Sequence, residues 1–107
     1  MVHVTGSAIG VSTADTYAYV TVGGEDVRTY TVLIANNGGS NGLSWKVEAD
    51  MDQAFGNAQE LKAEAVLAHS TNATTTIVDS PWRFVRVGYK AQTASSQTTC
   101  DVWIHGV

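Results

Sequence analysis

The sequence is short of the residues that staple, break or charge a chain. It has one cysteine and one proline in 107 residues. Cys100 has no partner within the chain, so no internal disulfide supports the fold. Stability must come from a core, which a chain of this length can bury without staples. Charged residues are 15% of the total, against about 25% in a typical domain. The six basic residues spread along the chain, and net charge is −4. Arg83, Arg86 and Lys90 are their closest grouping, too small for the basic stripe that displaces counterions from phosphates, so a nucleic-acid partner is not expected. No apolar run approaches the ~20 residues of a membrane-spanning helix, and no membrane partner is expected. The opening Met-Val-His-Val-Thr-Gly lacks the basic and apolar regions of a signal peptide. The expectation is a protein made in the cytoplasm that works there or inside an assembly.

The motifs of catalysis are missing too. There is no Gly-x-Ser-x-Gly elbow. His3, His69 and His105 lie far apart, with no His-x-x-x-His or Cys-x-x-Cys spacing for zinc. Gly38-Gly39-Ser40-Asn41-Gly42 lacks the Gly-Lys-Ser/Thr ending of a phosphate loop and reads as a strand connection. Asn72-Ala73-Thr74 matches the glycosylation sequon, a chance match in a chain without a secretory route. These absences point away from an enzyme and from a cofactor. One ionic cluster stands out, Glu48, Asp50 and Asp52, which period two places on one face near a strand end. A solvated acidic face is the simpler reading. The alternative is a Ca²⁺ site, since hard cations take several carboxylate oxygens.

What the chain does have is alternation. Residues 43–51 place Leu43, Trp45, Val47, Ala49 and Met51 on one face and Ser44, Lys46, Glu48 and Asp50 on the other. Nine residues of strict alternation mark a half-buried strand. Similar strands are expected at 17–22, 27–36 (with Tyr30, Val32 and Ile34 on one face), 73–78, 82–91 and 99–105, with Pro81 just before one of them, where its missing N–H costs the ladder little. Residues 52–69 carry helix formers, but Gly56-Asn57 interrupts them, and Leu61, Ala63, Ala65 and Leu67 fit one strand face, so the reading is a loop over 52–60 and a strand over 62–68. Residues 1–16 are a first strand or an extended arm. The expected fold is all-β: one antiparallel sandwich of about 7–8 strands spanning 1–107, jelly-roll or immunoglobulin-like.

Parity also names a surface. Val20 and Val22, Val85, Val87 and Tyr89, and Cys100, Val102 and Ile104 take the core faces, with Trp45 as a core anchor. Tyr17, Tyr19, Trp82, Phe84 and Trp103 are then left facing outward, with Arg86 among them. A contiguous aromatic patch marks a contact surface, where aromatics and Arg carry the binding energy. The alternative is that a loop or the N-terminal segment covers these residues.

The order of features over 30–106 resembles the small β-sandwich proteins of tailed-phage virions, such as capsid decoration proteins. It runs from Tyr-Thr-Val-Leu-Ile, through a strand ending Ala-Asp-Met-Asp and a Thr-rich strand, to Trp-Arg-Phe-Val-Arg-Val-Gly-Tyr-Lys-Ala and Asp-Val-Trp-Ile-His-Gly. The Arg-Phe-Val-Arg-Val piece at 83–87 is also similar to strands of jelly-roll, carbohydrate-binding-type modules. The first resemblance implies a non-enzymatic virion protein, assembled in the host cytoplasm, that binds itself, the major capsid protein or another virion protein. The second implies a glycan ligand, stacked on the outward aromatics.

Overall fold

The alternating segments pair into two antiparallel sheets. The computed structural model describes residues 17–23, 28–78, 82–93 and 98–106, together with the backbone path of 2–8. These residues form eight strands: β1 (Val2–Ala8), β2 (Ala18–Gly23), β3 (Tyr30–Asn36), β4 (Leu43–Asp50), β5 (Gln59–Leu67), β6 (Thr71–Ile77), β7 (Phe84–Ala91) and β8 (Cys100–Gly106). One sheet has the order β1-β8-β3-β6 and the other β2-β7-β4-β5.

The pairing is nested. β1 pairs with β8, β2 with β7, β3 with β6 and β4 with β5, so the second half of the chain runs back along the first. β8 also pairs with β3, and β7 with β4, which rolls this long hairpin into two stacked sheets. That topology is a jelly roll and not the immunoglobulin arrangement. β5 begins at Gln59, so 51–58 is a loop and the helical reading of the Ala- and Glu-rich stretch fails, as the sequence predicts.

Parity locates the core. Tyr30, Val32 and Ile34 on β3 and Cys100, Val102 and Ile104 on β8 meet Leu43, Trp45, Val47 and Ala49 on β4 and Val85, Val87, Tyr89 and Ala91 on β7. All are buried, Trp45 at 2% exposure among them. At ~25 cal/mol per Å² of apolar surface, each buried Val, Leu or Ile among them stabilises the fold by about 1.5–3 kcal/mol.

Three expected positions are corrected. Met51 is 56% exposed, because β4 ends at Asp50 and the chain turns before Met51 can use its inward parity. Ala63 is exposed, because the β4–β5 register shifts twice and carries it off the core face. Trp82 precedes β7 and packs against the core instead of standing outward.

Two buried polar groups contrast. Asn36, at the end of β3, is fully satisfied. Its amide donates to the carbonyls of Asn41 (2.9 Å) and Leu67 (3.1 Å), and its oxygen accepts from Gly38 N–H and the Thr98 hydroxyl. It thereby ties three connections together at one end of the sandwich. The Tyr30 hydroxyl is buried with no hydrogen-bond partner among the described residues. Such a group costs about 1–3 kcal/mol, and burial pushes its phenol pKa up.

Candidate interaction surface

The outer face of the β2-β7-β4-β5 sheet collects the outward residues of three strands. Register sets Tyr19 of β2 opposite Gly88 of β7, and Gly88 opposite Lys46 of β4. Arg86 lies between Thr21 and Glu48 in the same way. Gly88 is what lets the rings settle on the sheet. A Cβ there would stand 3.0 Å from both the Tyr17 and Tyr19 rings and 3.3 Å from Lys46 Cε. The two rings lie 6.2 Å apart, tilted by 31°.

Cations edge these rings. Lys46 Nζ is 4.2 Å and Lys90 Nζ 4.8 Å from the Tyr17 centroid. The Arg86 guanidinium is 3.7 Å from the Tyr19 centroid and 4.2 Å from that of Phe55. Each such contact contributes about 0.5–2 kcal/mol, more as water is excluded. Carboxylates fix the cations in turn. Glu48 accepts from Arg86 Nε at 3.0 Å, pairs with an Arg86 terminal nitrogen at 2.8 Å, and pairs with Lys46 at 3.3 Å. The Tyr17 hydroxyl donates to Glu64 of β5. Burial first, and Glu64 second, raise the Tyr17 pKa above the ordinary phenol range, so it stays a donor at neutral pH.

Phe55 belongs to this site, although nothing in period two singles it out. It sits in the 51–58 loop with φ of 54°, a left-handed conformation that a bulky residue adopts only under constraint. The constraint is visible. Phe55 N–H donates to the Asp52 carbonyl at 3.0 Å, and the ring is 8% exposed against Arg86. Asp50 anchors the same loop by accepting from the N–H of Asn57 (2.9 Å) and of Asp52 (3.1 Å). Those two bonds are the chief reason its carboxyl pKa is lowered. The Asp52 side chain accepts from Ala54 N–H. The acidic trio therefore divides its duties: Glu48 holds cations on the sheet, while Asp50 and Asp52 shape the loop. No group of three His, Cys, Asp or Glu side chains among the described residues could hold a metal ion.

The aromatics predicted to share one surface do not share it. Tyr17, Tyr19 and Phe84 stand on the β2-β7-β4-β5 face. Phe84 is half-buried at its edge, its ring filling the space where Gly23 has no side chain. Trp103 is on β8, in the other sheet, set opposite Leu33 of β3 and half-buried. It faces the opposite side of the sandwich, because the jelly-roll order separates β8 from β7. Arg86 is the centre of the site instead of an accessory to it.

No protein-family model matches the sequence, and no curated protein matches it as a sequence relative. Solved structures do share the fold. PirA superposes with a TM-score of 0.64 at 15% identity, covering 97% of this chain and 92% of that one. A protein of the disulfide-linked pili of Bacillus endospore appendages gives 0.54 at 16% identity, covering 99% and 88%. The Tobacco streak virus coat protein, solved as a dimer, gives 0.54 at 10% identity, covering 98% and 82%. At these identities the likeness shows a common all-β sandwich.

Proposed function

We propose that this chain is a non-enzymatic assembly protein of a virion, a decoration protein that docks on the capsid of a tailed phage and associates with copies of itself. The observation that carries the reading is Arg86, held against Tyr19 and Phe55 and clamped by Glu48 on the outer face of the sheet. Aromatics and Arg supply most of the energy in protein interfaces. Here they are already fixed, which lowers the entropy lost on docking. Two of the proteins that share the fold build larger bodies, a viral coat dimer and disulfide-linked pili, which supports an assembly role. The same geometry disfavours a sugar ligand. A sugar needs a free ring face, and here Tyr17 is attended by Lys46 and Lys90, and Tyr19 by Arg86.

The test is mass in solution by light scattering, together with co-sedimentation with shells assembled from a tailed-phage major capsid protein. The expected result is self-association or shell binding that Tyr19→Ala weakens about tenfold or more, as for the loss of an interface anchor. A strict monomer that ignores the shells overturns the reading. A monomer that binds on a glycan array replaces it with carbohydrate recognition.

A further inference from the structure

The two edges formed by β5 and β6 are treated very differently. A bare edge strand offers unpaired N–H and C=O groups to any passing strand, and soluble proteins blunt such edges with charges, bulges or proline. β5 is blunted: it carries Glu60, Lys62 and Glu64, and its register with β4 shifts twice. β6, the outer strand of the other sheet, has none of these devices. Thr71–Ile77 contains no charged residue and no proline, and pairs with β3 through seven residues without a shift. Thr71, Asn72, Thr74 and Thr76 are exposed, as is Val78 just beyond, at 65%.

We infer that β6 is a strand-addition edge whose partner is β6 of a second copy, joining two four-stranded sheets into one of eight. The proposed reading supplies the premise that the protein associates with itself. The strand supplies the register. A two-fold axis makes the contact self-complementary, and outward residues meet outward residues only if the axis passes through a residue position and not between two. An axis at Thr74 pairs all seven residues: Thr74 with its own copy, Ala73 with Thr75, Asn72 with Thr76, and Thr71 with Ile77. Every pair is uncharged, so no like charges oppose one another. Thr and other β-branched cross-strand pairs are among those that stabilise antiparallel ladders. A sequence-reading partner would instead need pockets or charges along the edge, as in strand-addition sites that select peptides, and β6 offers only hydroxyls, an amide and methyl groups.

The register makes the inference testable by cysteine cross-linking. Opposed residues of an antiparallel pair have Cα atoms about 4.5–5.5 Å apart, within disulfide reach. Two copies of Thr76 would stand about 13 Å apart or more along the strands. Under mild oxidation, Thr74→Cys is expected to form covalent dimer about tenfold more efficiently than Thr76→Cys, which is equally exposed on the same face. A mixture of Asn72→Cys and Thr76→Cys is expected to form the mixed dimer. The native Cys100 is buried and contributes no background. Equal cross-linking of Thr74→Cys and Thr76→Cys, or none from Thr74→Cys, overturns the inference. If Thr74→Cys fails while light scattering still shows oligomers sensitive to Tyr19→Ala, edge pairing is wrong and the assembly reading stands. If the protein is monomeric but binds capsid shells, edge pairing alone falls; if it is monomeric and ignores the shells, both fall.

Discussion

The two outer faces of this sandwich enclose one core but are built from different chemistry. On the β2-β7-β4-β5 side, Tyr17, Tyr19 and Phe55 surround Lys46, Glu48, Arg86 and Lys90 in one linked layer. On the β1-β8-β3-β6 side, the outward residues of β3 and β6 are Thr31, Leu33, Ala35, Asn72, Thr74 and Thr76, with Asp101, Trp103 and His105 on β8. Among the described residues, the sheet-borne charges gather on the first face, and Asp101 and His105 are the ionisable groups on these strands of the second. The difference teaches that polarity alone does not define a contact surface. The first face offers side chains already locked in place, suited to a specific partner. The second ends in a strand whose backbone is the recognisable feature.

Three measurements test the contrast, from the largest expected effect to the smallest. Trp45 belongs to neither face, and Trp45→Ala should cost about 3–5 kcal/mol. Urea unfolding followed by far-ultraviolet circular dichroism for the whole sandwich, and by thiol labelling of Cys100 for the β1-β8-β3-β6 sheet, should then move together. Separate transitions would show that the sheets are independent units. Cys100 is a suitable reporter because its thiol, buried in the core, has a pKa pushed up to about 12 and reacts only on opening.

Arg86→Met should cost about 2 kcal/mol, since it leaves Glu48 without its closest cation and Tyr19 and Phe55 without theirs. Trp103→Ala, on the opposite face, should leave the tyrosine environment unchanged in near-ultraviolet circular dichroism, while Arg86→Met alters it. A matching change from both variants would mean that the faces communicate through the core.

The smallest effect is the pH dependence of the 51–58 loop. The Asp50 pKa is lowered in the folded protein, so its contribution is present above the usual aspartate range and is lost as pH falls through the lowered folded value. The urea midpoint should therefore drop on acidification in the native protein. In Asp50→Asn that step should be absent and the midpoint already reduced at neutral pH. An unchanged acid step in the variant would assign it to other carboxylates and detach the loop from the contact face.

The core was legible residue by residue. Period two placed Val32, Ile34, Trp45, Val47, Val85, Val87, Val102 and Ile104 inward, and all are buried, because a strand sends alternate side chains to opposite faces wherever it lies. The candidate site was legible only in part. Tyr19, Phe84 and Arg86 followed from parity. Phe55 did not, because its place depends on a left-handed turn held by Asp50 and Asp52. Met51, Ala63 and Trp82 were misplaced for a related reason: strand ends and bulges reset the alternation.

By itself, then, the amino-acid sequence determined an all-β chain and which residues turn inward. Only the tertiary structure decided which outward residues are neighbours. Parity assigns a residue to a side of its own strand, whereas neighbourhood depends on strand order, set by long-range pairing. The jelly-roll order put Trp103 behind the molecule from Tyr19, brought a loop phenylalanine onto Arg86, and left a threonine-rich strand at the edge of a sheet.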